Sequence, residues 1–297
     1  MRLKGRGMYG VVTRNAEEIT WPEFDTAFYE VKDVSGRISE PVANAVNMIS
    51  CFGDNAAAEA DPSLVPIDPD GNRATRDQPY FDWAYICPTN TDYQRGLLET
   101  IEDCTGINPD VRLDDIGFPR QEYCYCDRCN HLFEQWVTER YETGTGPSPE
   151  KTTRSDRYQW RAQIISKFVE AAADRIPGSV YMTLYPDPYE GHLFKRAGIN
   201  LDTLEEHVDE FVIPLYDTAY ETTYWVEIIA SGFADRLNTP LTIELYSVNL
   251  DLNNLSHATD VAAEYSDTVL FGYDAATARG LIRRKAAEAN EGKTWKE

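Results

Sequence analysis

Six cysteines punctuate the chain, at Cys51, Cys87, Cys104, Cys124, Cys126 and Cys129, and three of them fall within CYCDRC. A C-x-C-x-x-C knot is too tight for three scattered core thiols. Thiolates at this spacing can converge on one tetrahedral Zn²⁺, which takes about four ligands, at roughly 2.3 Å when they are sulfur. Three reduced cysteines in a turn and an iron–sulfur site are the alternatives. The fourth ligand has to come from elsewhere. His131 is too close to the motif, and the next histidine is His192. Cys87 is the better candidate, because it ends the apolar run immediately before the one that leads to the motif. Cys51 and Cys104 read as small buried hydrophobes. Four thiolates fill the coordination shell, so the zinc is expected to be structural. Disulfides are not expected, because MRLKGRGMYGVV has too brief an apolar run for a secretion signal and the reading is cytoplasmic.

Any such ligands need a scaffold, and the apolar pattern supplies one. Short β-branched or aromatic runs recur at 8–13, 45–51, 82–87, 110–116, 179–185, 210–216, 241–246 and 268–273. Their mean spacing of about 37 residues is the size of a βα unit. Between them, 91–103 places Tyr93, Leu97, Leu98 and Ile101 on one helical face. Similarly, 131–141 groups Leu132, Phe133, Trp136 and Val137, and 158–176 and 275–289 are longer helices. Eight alternating units predict an α/β fold: a (βα)8 TIM barrel, one domain over 1–297 with long βα loops. An open doubly wound sheet is the runner-up, but no GxGxxG follows the first strand. Residues 53–80 are rich in Asp, Pro, Ala and Asn with little helical pattern; in a barrel they would lie on the catalytic face.

Charge narrows the partners. The 297 residues carry 50 Asp and Glu against 28 Lys and Arg, a net charge of −22. Nucleic acid and an anionic membrane are therefore not expected as partners, since phosphate contacts need a basic face. No stretch approaches the roughly 18–20 apolar residues of a membrane span. The acidity is spread along the whole chain and Arg far outnumbers Lys, a pattern read as adaptation to high salt in a cytoplasmic protein. A homo-oligomer is compatible with all of this.

CYCDRCNHLFEQWVTERY resembles the zinc-cysteine segment of the family-42 glycoside hydrolases, the bacterial and archaeal β-galactosidases. ICPTNTDYQRGLLETI is similar to that family's upstream cysteine turn, which opens a helix with Tyr-Arg. The likeness is specific over about 82–141 and architectural elsewhere. It implies a zinc held by Cys87, Cys124, Cys126 and Cys129. The tRNA-guanine transglycosylases also use CxCxxC, but they add a histidine some 25 residues later that this sequence lacks.

The resemblance further implies two catalytic carboxylates, an acid/base ending strand four and a nucleophile ending strand seven. Retaining glycosidases hold such a pair about 5–5.5 Å apart, inverting ones farther apart. In DVRLDDIGF, Asp115 lies nine residues before Cys124, at the acid/base position; in PLTIELYS, Glu244 takes the nucleophile position. The family pattern has Asn then Glu where this chain has Asp114 then Asp115, so the donor to the sugar's 2-hydroxyl is gone and the acid is shorter. Further rim candidates for substrate binding are Asp114, Trp83, Tyr185, Asp187, Tyr216, Asp217 and Tyr246, because aromatic rings stack on sugar C–H faces and carboxylates bind hydroxyls. Asp274 in GYD is another strand-end acid. The reading is a barrel that hydrolyses a small glycoside or oligosaccharide with Asp115 and Glu244. The alternative is a catalytically inactive carbohydrate- or protein-binding barrel.

Overall fold

The β-branched run MYGVVT forms the first strand, β1 (Met8–Thr13), with Val11 and Val12 fully buried. In this computed structural model, residues 7–189, 191–216 and 223–294 are described. β1 pairs in parallel with β2 (Thr26–Asp33), which continues through β3 (Val46–Ser50), β4 (Val111–Asp114), β5 (Val180–Thr183), β6 (Glu210–Leu215), β7 (Leu241–Tyr246) and β8 (Thr268–Gly272). β8 returns to pair with β1, closing an eight-stranded parallel barrel. A two-residue strand, Gly36–Arg37, runs antiparallel to the end of β2.

Seven of the eight expected strands are present; the run 82–87 is not one of them. It is an extended segment with a single isolated bridge, Gly53 to Tyr85, and its backbone bonds go to loop partners such as Phe52 and Ala74. Its apolar side chains Ala84 and Ile86, with the preceding Phe81, pack with Ala58, Val65 and Tyr123 in a small cluster of their own. The loop after β3 is thus a packed insert with a short helix α1 (Asn55–Ala60), capped by the Asp54 side chain on Ala57 N. The missing strand is β2, which follows β1 after only a single 3₁₀ turn, Glu18–Thr20, so it breaks the strand–helix rhythm on which the expectation rested. One omission and one excess cancel, and 111–114 and 241–246 keep their places as strands four and seven.

The helices are α2 (Thr91–Thr105), α3 (Asp127–Glu142), α4 (Arg154–Ala173), α5 (His192–Ala197), α6 (Leu201–Leu204), α7 (Thr223–Arg236), α8 (Leu252–Tyr265) and α9 (Ala275–Thr294). Asn90 caps α2 by accepting from Tyr93 N, and Leu97, Ile101 and Cys104 form its buried stripe. In α4, Trp160, Ile165 and Phe168 pack towards the outward faces of β3 and β4, where Ile49 and Leu113 are fully buried. Burying such side chains contributes about 1.5–3 kcal/mol each. Inside the barrel, Val12, Phe28, Met48, Val212 and Leu270 fill the volume below the rim. Among the described residues, no helix is long and apolar enough to cross a membrane.

Candidate active site

A cavity of about 1030 Å³ opens where the strands end, above that apolar plug. This is the C-terminal face, where barrel enzymes place their chemistry because eight βα loops converge there. Of the expected residues, Asp114, Asp115, Trp83, Tyr185, Tyr216 and Tyr246 line it. Asp187 does not: it accepts from Tyr189 N and pairs with His192 Nδ1 at 2.9 Å. Asp274 caps α9, accepting from Thr277 N and Oγ1. Asp217 lies outside the described residues.

The Asp114–Asp115 pair owes its arrangement to one backbone angle. Successive strand residues face opposite ways, so a regular β4 would point only one of the two inward. Asp115 has φ +50°, the left-handed region that Asp tolerates better than most residues. The strand turns there, and both carboxylates reach the cavity wall. Asp114 Oδ1 accepts from the Asp115 N–H at 2.9 Å. Asp115 Oδ2 meets Ser50 Oγ, which also lies 2.8 Å from the carbonyl oxygen of Gly53. A hydroxyl has one proton, and both neighbours are acceptors when Asp115 is ionised. Ser50 Oγ donates to Asp115 Oδ2 and shares its one proton with the Gly53 carbonyl, so it steadies the ionised carboxylate only in part. Burial, reinforced by the charge of Asp114 and opposed by the Ser50 contact and Lys32, pushes the Asp115 carboxyl up to about 7. Lys32 is itself held, 3.0 Å from Asp54 Oδ2 and donating to Ser50 O at 2.8 Å.

Glu244 is in another situation. It is 0% exposed and is not part of the cavity wall. Its Oε2 lies 2.6 Å from Arg112 Nη2, and Tyr216 donates to its Oε1. A Cβ on Gly272 would come within 3.1 Å of both Glu244 Oε1 and the Tyr216 hydroxyl, so the glycine makes room for the pair. Burial raises the Glu244 pKa against the opposing pull of Arg112 and Tyr216. Arg112, 1% exposed, donates from Nε to Thr183 Oγ1; its Nη1 has no hydrogen-bond partner, and the residue forms part of the cavity wall. An orphaned buried donor costs about 1–3 kcal/mol or more unless a ligand or water meets it.

A second carboxylate group on the wall escaped the sequence reading because β2 did. Glu30 and Asp33 share Arg14, the latter at 3.1 Å, and Tyr273 donates to Glu30 at 2.9 Å. The signal was present in TAFYEVKD, where charged residues alternate with apolar ones in a β-like run. Aromatic rings complete the wall. Tyr216 and Tyr246 have centroids 5.4 Å apart, Trp83 and Tyr85 5.9 Å, and Arg196 stacks 3.8 Å over Tyr185.

Beside the cavity, the cysteines converge. Cys87 Sγ lies 3.1 Å from Cys124 Sγ and 3.3 Å from Cys129 Sγ, while the sulfurs of Cys87, Cys126 and Cys129 lie within 4.8 Å of one another. Zn–S bonds of about 2.3 Å give tetrahedral S–S edges of about 3.8 Å; Cys87, Cys126 and Cys129 form a group that could share one ion, and Cys124 adjoins it through Cys87. Cys124 has φ +71°, and Arg157 donates to its carbonyl at 2.6 Å. Cys51 and Cys104 are fully buried apart from this cluster; burial pushes both thiols up, Cys104 to about 12, as befits inert core residues.

No family model matches the chain, and no curated protein matches it significantly in sequence. Among solved structures, an inactive mutant of the GH20 exo β-N-acetylglucosaminidase from Vibrio harveyi is similar, with a TM-score of 0.51 at 9% identity over 91% of this chain and 50% of that one. The chain thus spans about half the length of that protein. An α-amylase from Lactobacillus plantarum follows with a TM-score of 0.43 at 11% identity, over 91% and 71% of the two chains. A hypothetical protein from Ruminiclostridium thermocellum gives 0.34 at 14%, over 53% and 81%. The likeness establishes the architecture: a TIM barrel of the kind found among glycoside hydrolases.

Proposed function

We propose that the chain is a glycoside-hydrolase-like barrel acting on a small glycoside or oligosaccharide, with Asp115 as its general acid. One observation carries this reading: a carboxyl with no ion-pair partner among the described residues stands beside a second carboxylate on the wall of a ring-lined cavity at the C-terminal face. A general acid works best when its pKa lies near the working pH, which burial gives Asp115. It would hand its proton to the glycosidic oxygen as the bond to C1 breaks. Trp83, Tyr185 and Tyr246 offer faces for the sugar, and Arg112 Nη1 offers a donor to one of its oxygens. Glu244, expected as nucleophile, is sealed by Arg112 and Tyr216; in this proposal it acts as a positioning residue that fixes the guanidinium.

A panel of chromogenic glycosides in high KCl tests the proposal, with hydrolysis expected from the parent and abolished in Asp115→Asn. A second reading, a binding barrel without turnover, is favoured by the sealing of Glu244. Saturable sugar binding with no hydrolysis of any panel member would select it.

We propose also that Cys87, Cys124, Cys126 and Cys129 hold one structural zinc, supported by three thiols within 4.8 Å of one another and by Cys124 at 3.1 Å from Cys87. Such sites contribute apparent binding energies of about 10–16 kcal/mol in small peptides, enough to tie the β3 and β4 loops together. Elemental analysis should give one zinc per chain, and Cys126→Ser should lose it and melt earlier. A metal-free, fully stable parent protein would end the idea. The acidic composition is read as adaptation to high salt in a cytoplasmic protein.

A further inference from the structure

We propose that the mouth of the cavity holds a subsite for a second sugar, on the leaving-group side of Asp115, with Tyr80 and Tyr185 as its stacking faces and Arg161 as its positioning residue. The substrate is then an oligosaccharide and not a glycoside with a small aglycone. The inference rests on the glycosidase reading and specifies its substrate class.

Tyr80 is the residue that the fold alone does not account for. Its ring belongs to the cavity wall yet is 84% exposed, and its backbone has φ +72°. A bulky residue in the left-handed region is strained, and a ring left in solvent returns little burial to offset the strain. Tyr185 is a second such ring, 50% exposed on the same wall. Each rests on a guanidinium: Arg120 Cζ lies 5.3 Å from the Tyr80 centroid, and Arg196 Cζ 3.8 Å from that of Tyr185. The cation steadies the ring from one side. The other side stays open, which is what the C–H face of a sugar requires.

A third arginine joins the two posts. Arg161 of α4 is 1% exposed and has no carboxylate partner among the described residues, in a chain with 50 Asp and Glu. Its donors go to carbonyl oxygens. Nη2 donates to Arg120 O at 2.9 Å and to Arg196 O at 2.6 Å, while Nη1 reaches Gln121 O and Lys195 O, each at 3.3 Å. A planar fork can hold four acceptors from two segments at once, which a lysine cannot. The Phe118 N–H adds a direct bond to Ala197 O at 2.9 Å, and a Cβ on Gly117 would come within 2.9 Å of the Ala197 Cβ. The segment after Asp115 and helix α5 therefore behave as one unit, and the two stacked arginines keep a fixed spacing.

The place of this unit sets the side of the bond it serves. Arg120 follows Asp115 by five residues, and residues 116–119 between them also line the wall. A general acid protonates the oxygen that departs with the leaving sugar, so the surface beside the acid receives that sugar and not the one that keeps C1.

The test uses trisaccharides of glucose, galactose and xylose in α and β linkage, with the glycosyl fluorides of the same sugars, on the parent and its variants. Fluoride is too small to reach the mouth. In Tyr80→Ala, kcat/KM for the cleaved trisaccharide should fall about 10-fold, the scale of one lost ring contact, and several-fold more than for the matching fluoride. Tyr80→Phe keeps the ring and should restore most of the loss. Arg161→Lys should raise KM for the trisaccharide more than it lowers kcat. A loss in Arg161→Lys that is equal for both substrates removes Arg161 from the subsite. Equal losses on both substrates in Tyr80→Ala, no loss at all, or refusal of every trisaccharide by a protein that cleaves fluorides overturns the subsite and leaves the glycosidase reading standing. Hydrolysis of no substrate, fluorides included, overturns both.

Discussion

Strands four and seven each carry an acid towards the C-terminal end of the barrel, and the two acids have opposite fates. Asp115 lies on the cavity wall and has no ion-pair partner among the described residues, and burial beside the charge of Asp114 favours its protonated form. Glu244 lies beneath, neutralised by Arg112 at 2.6 Å and by the Tyr216 hydroxyl. Acids carried by two strands of one barrel do not thereby have equivalent chemistry. What decides is whether a cation reaches the carboxylate and whether solvent does. An acid without a cation in a half-closed cavity keeps its proton to give; an acid paired with a buried guanidinium becomes part of the frame.

The largest way to break this contrast is at Asp115. Asp115→Asn should lower kcat/KM by about 10²–10⁴-fold, the range for removing a general acid. The parent should lose activity as pH rises through about 7, where the Asp115 proton leaves. Stability should move with it. The folded pKa is raised above the ordinary carboxylate value, so the protein holds this proton more tightly folded than unfolded. The group therefore favours the fold at low pH and costs stability as pH rises from about 4 to about 7. Denaturant midpoints of parent and Asp115→Asn across that window should diverge, with the variant gaining as pH rises; parallel curves would refute the protonated assignment.

Glu244 should answer in the opposite sense. Glu244→Ala leaves Arg112 buried without its counter-charge and should cost about 3–5 kcal/mol, read from urea unfolding. Replacing the pair together, Arg112→Met with Glu244→Met, should recover much of that loss. If Glu244→Ala folds normally yet abolishes turnover, Glu244 has a chemical role after all.

A smaller effect is expected at Gly53, where a Cβ would lie 2.8 Å from Asp115 Oδ2 and 2.9 Å from Trp83 Nε1. Gly53→Ala should displace the acid or the indole and reduce turnover while melting close to the parent. Unchanged kinetics would show that neither group needs its place. Smallest per residue, and summed over the surface, is salt. Going from about 0.1 to 1 M shortens the Debye length from about 10 to 3 Å, so the self-repulsion of a net charge of −22 fades. The melting temperature should rise between about 0.1 and 2 M KCl; a flat response would remove the high-salt reading.

Much of this molecule was legible in the chain because much of it is periodic. Strand four, strand seven and the helix at Thr91–Thr105 announce themselves through local alternation or a 3.6-residue stripe. The CxCxxC motif is local as well, and its meeting with Cys87 follows from adjacent strands emptying their loops side by side. Strand β2 was hidden because its connections are too short to hold a helix, while 82–87 imitates a strand but packs in a loop cluster. The sequence by itself determined the barrel, the cysteine knot and the acids at the two strand ends. Only the tertiary structure decided which acid would face the cavity. Arg112, Ser50, Arg14 and Tyr216 come from four different strands or their ends, and no local pattern records which carboxylate each of them will meet.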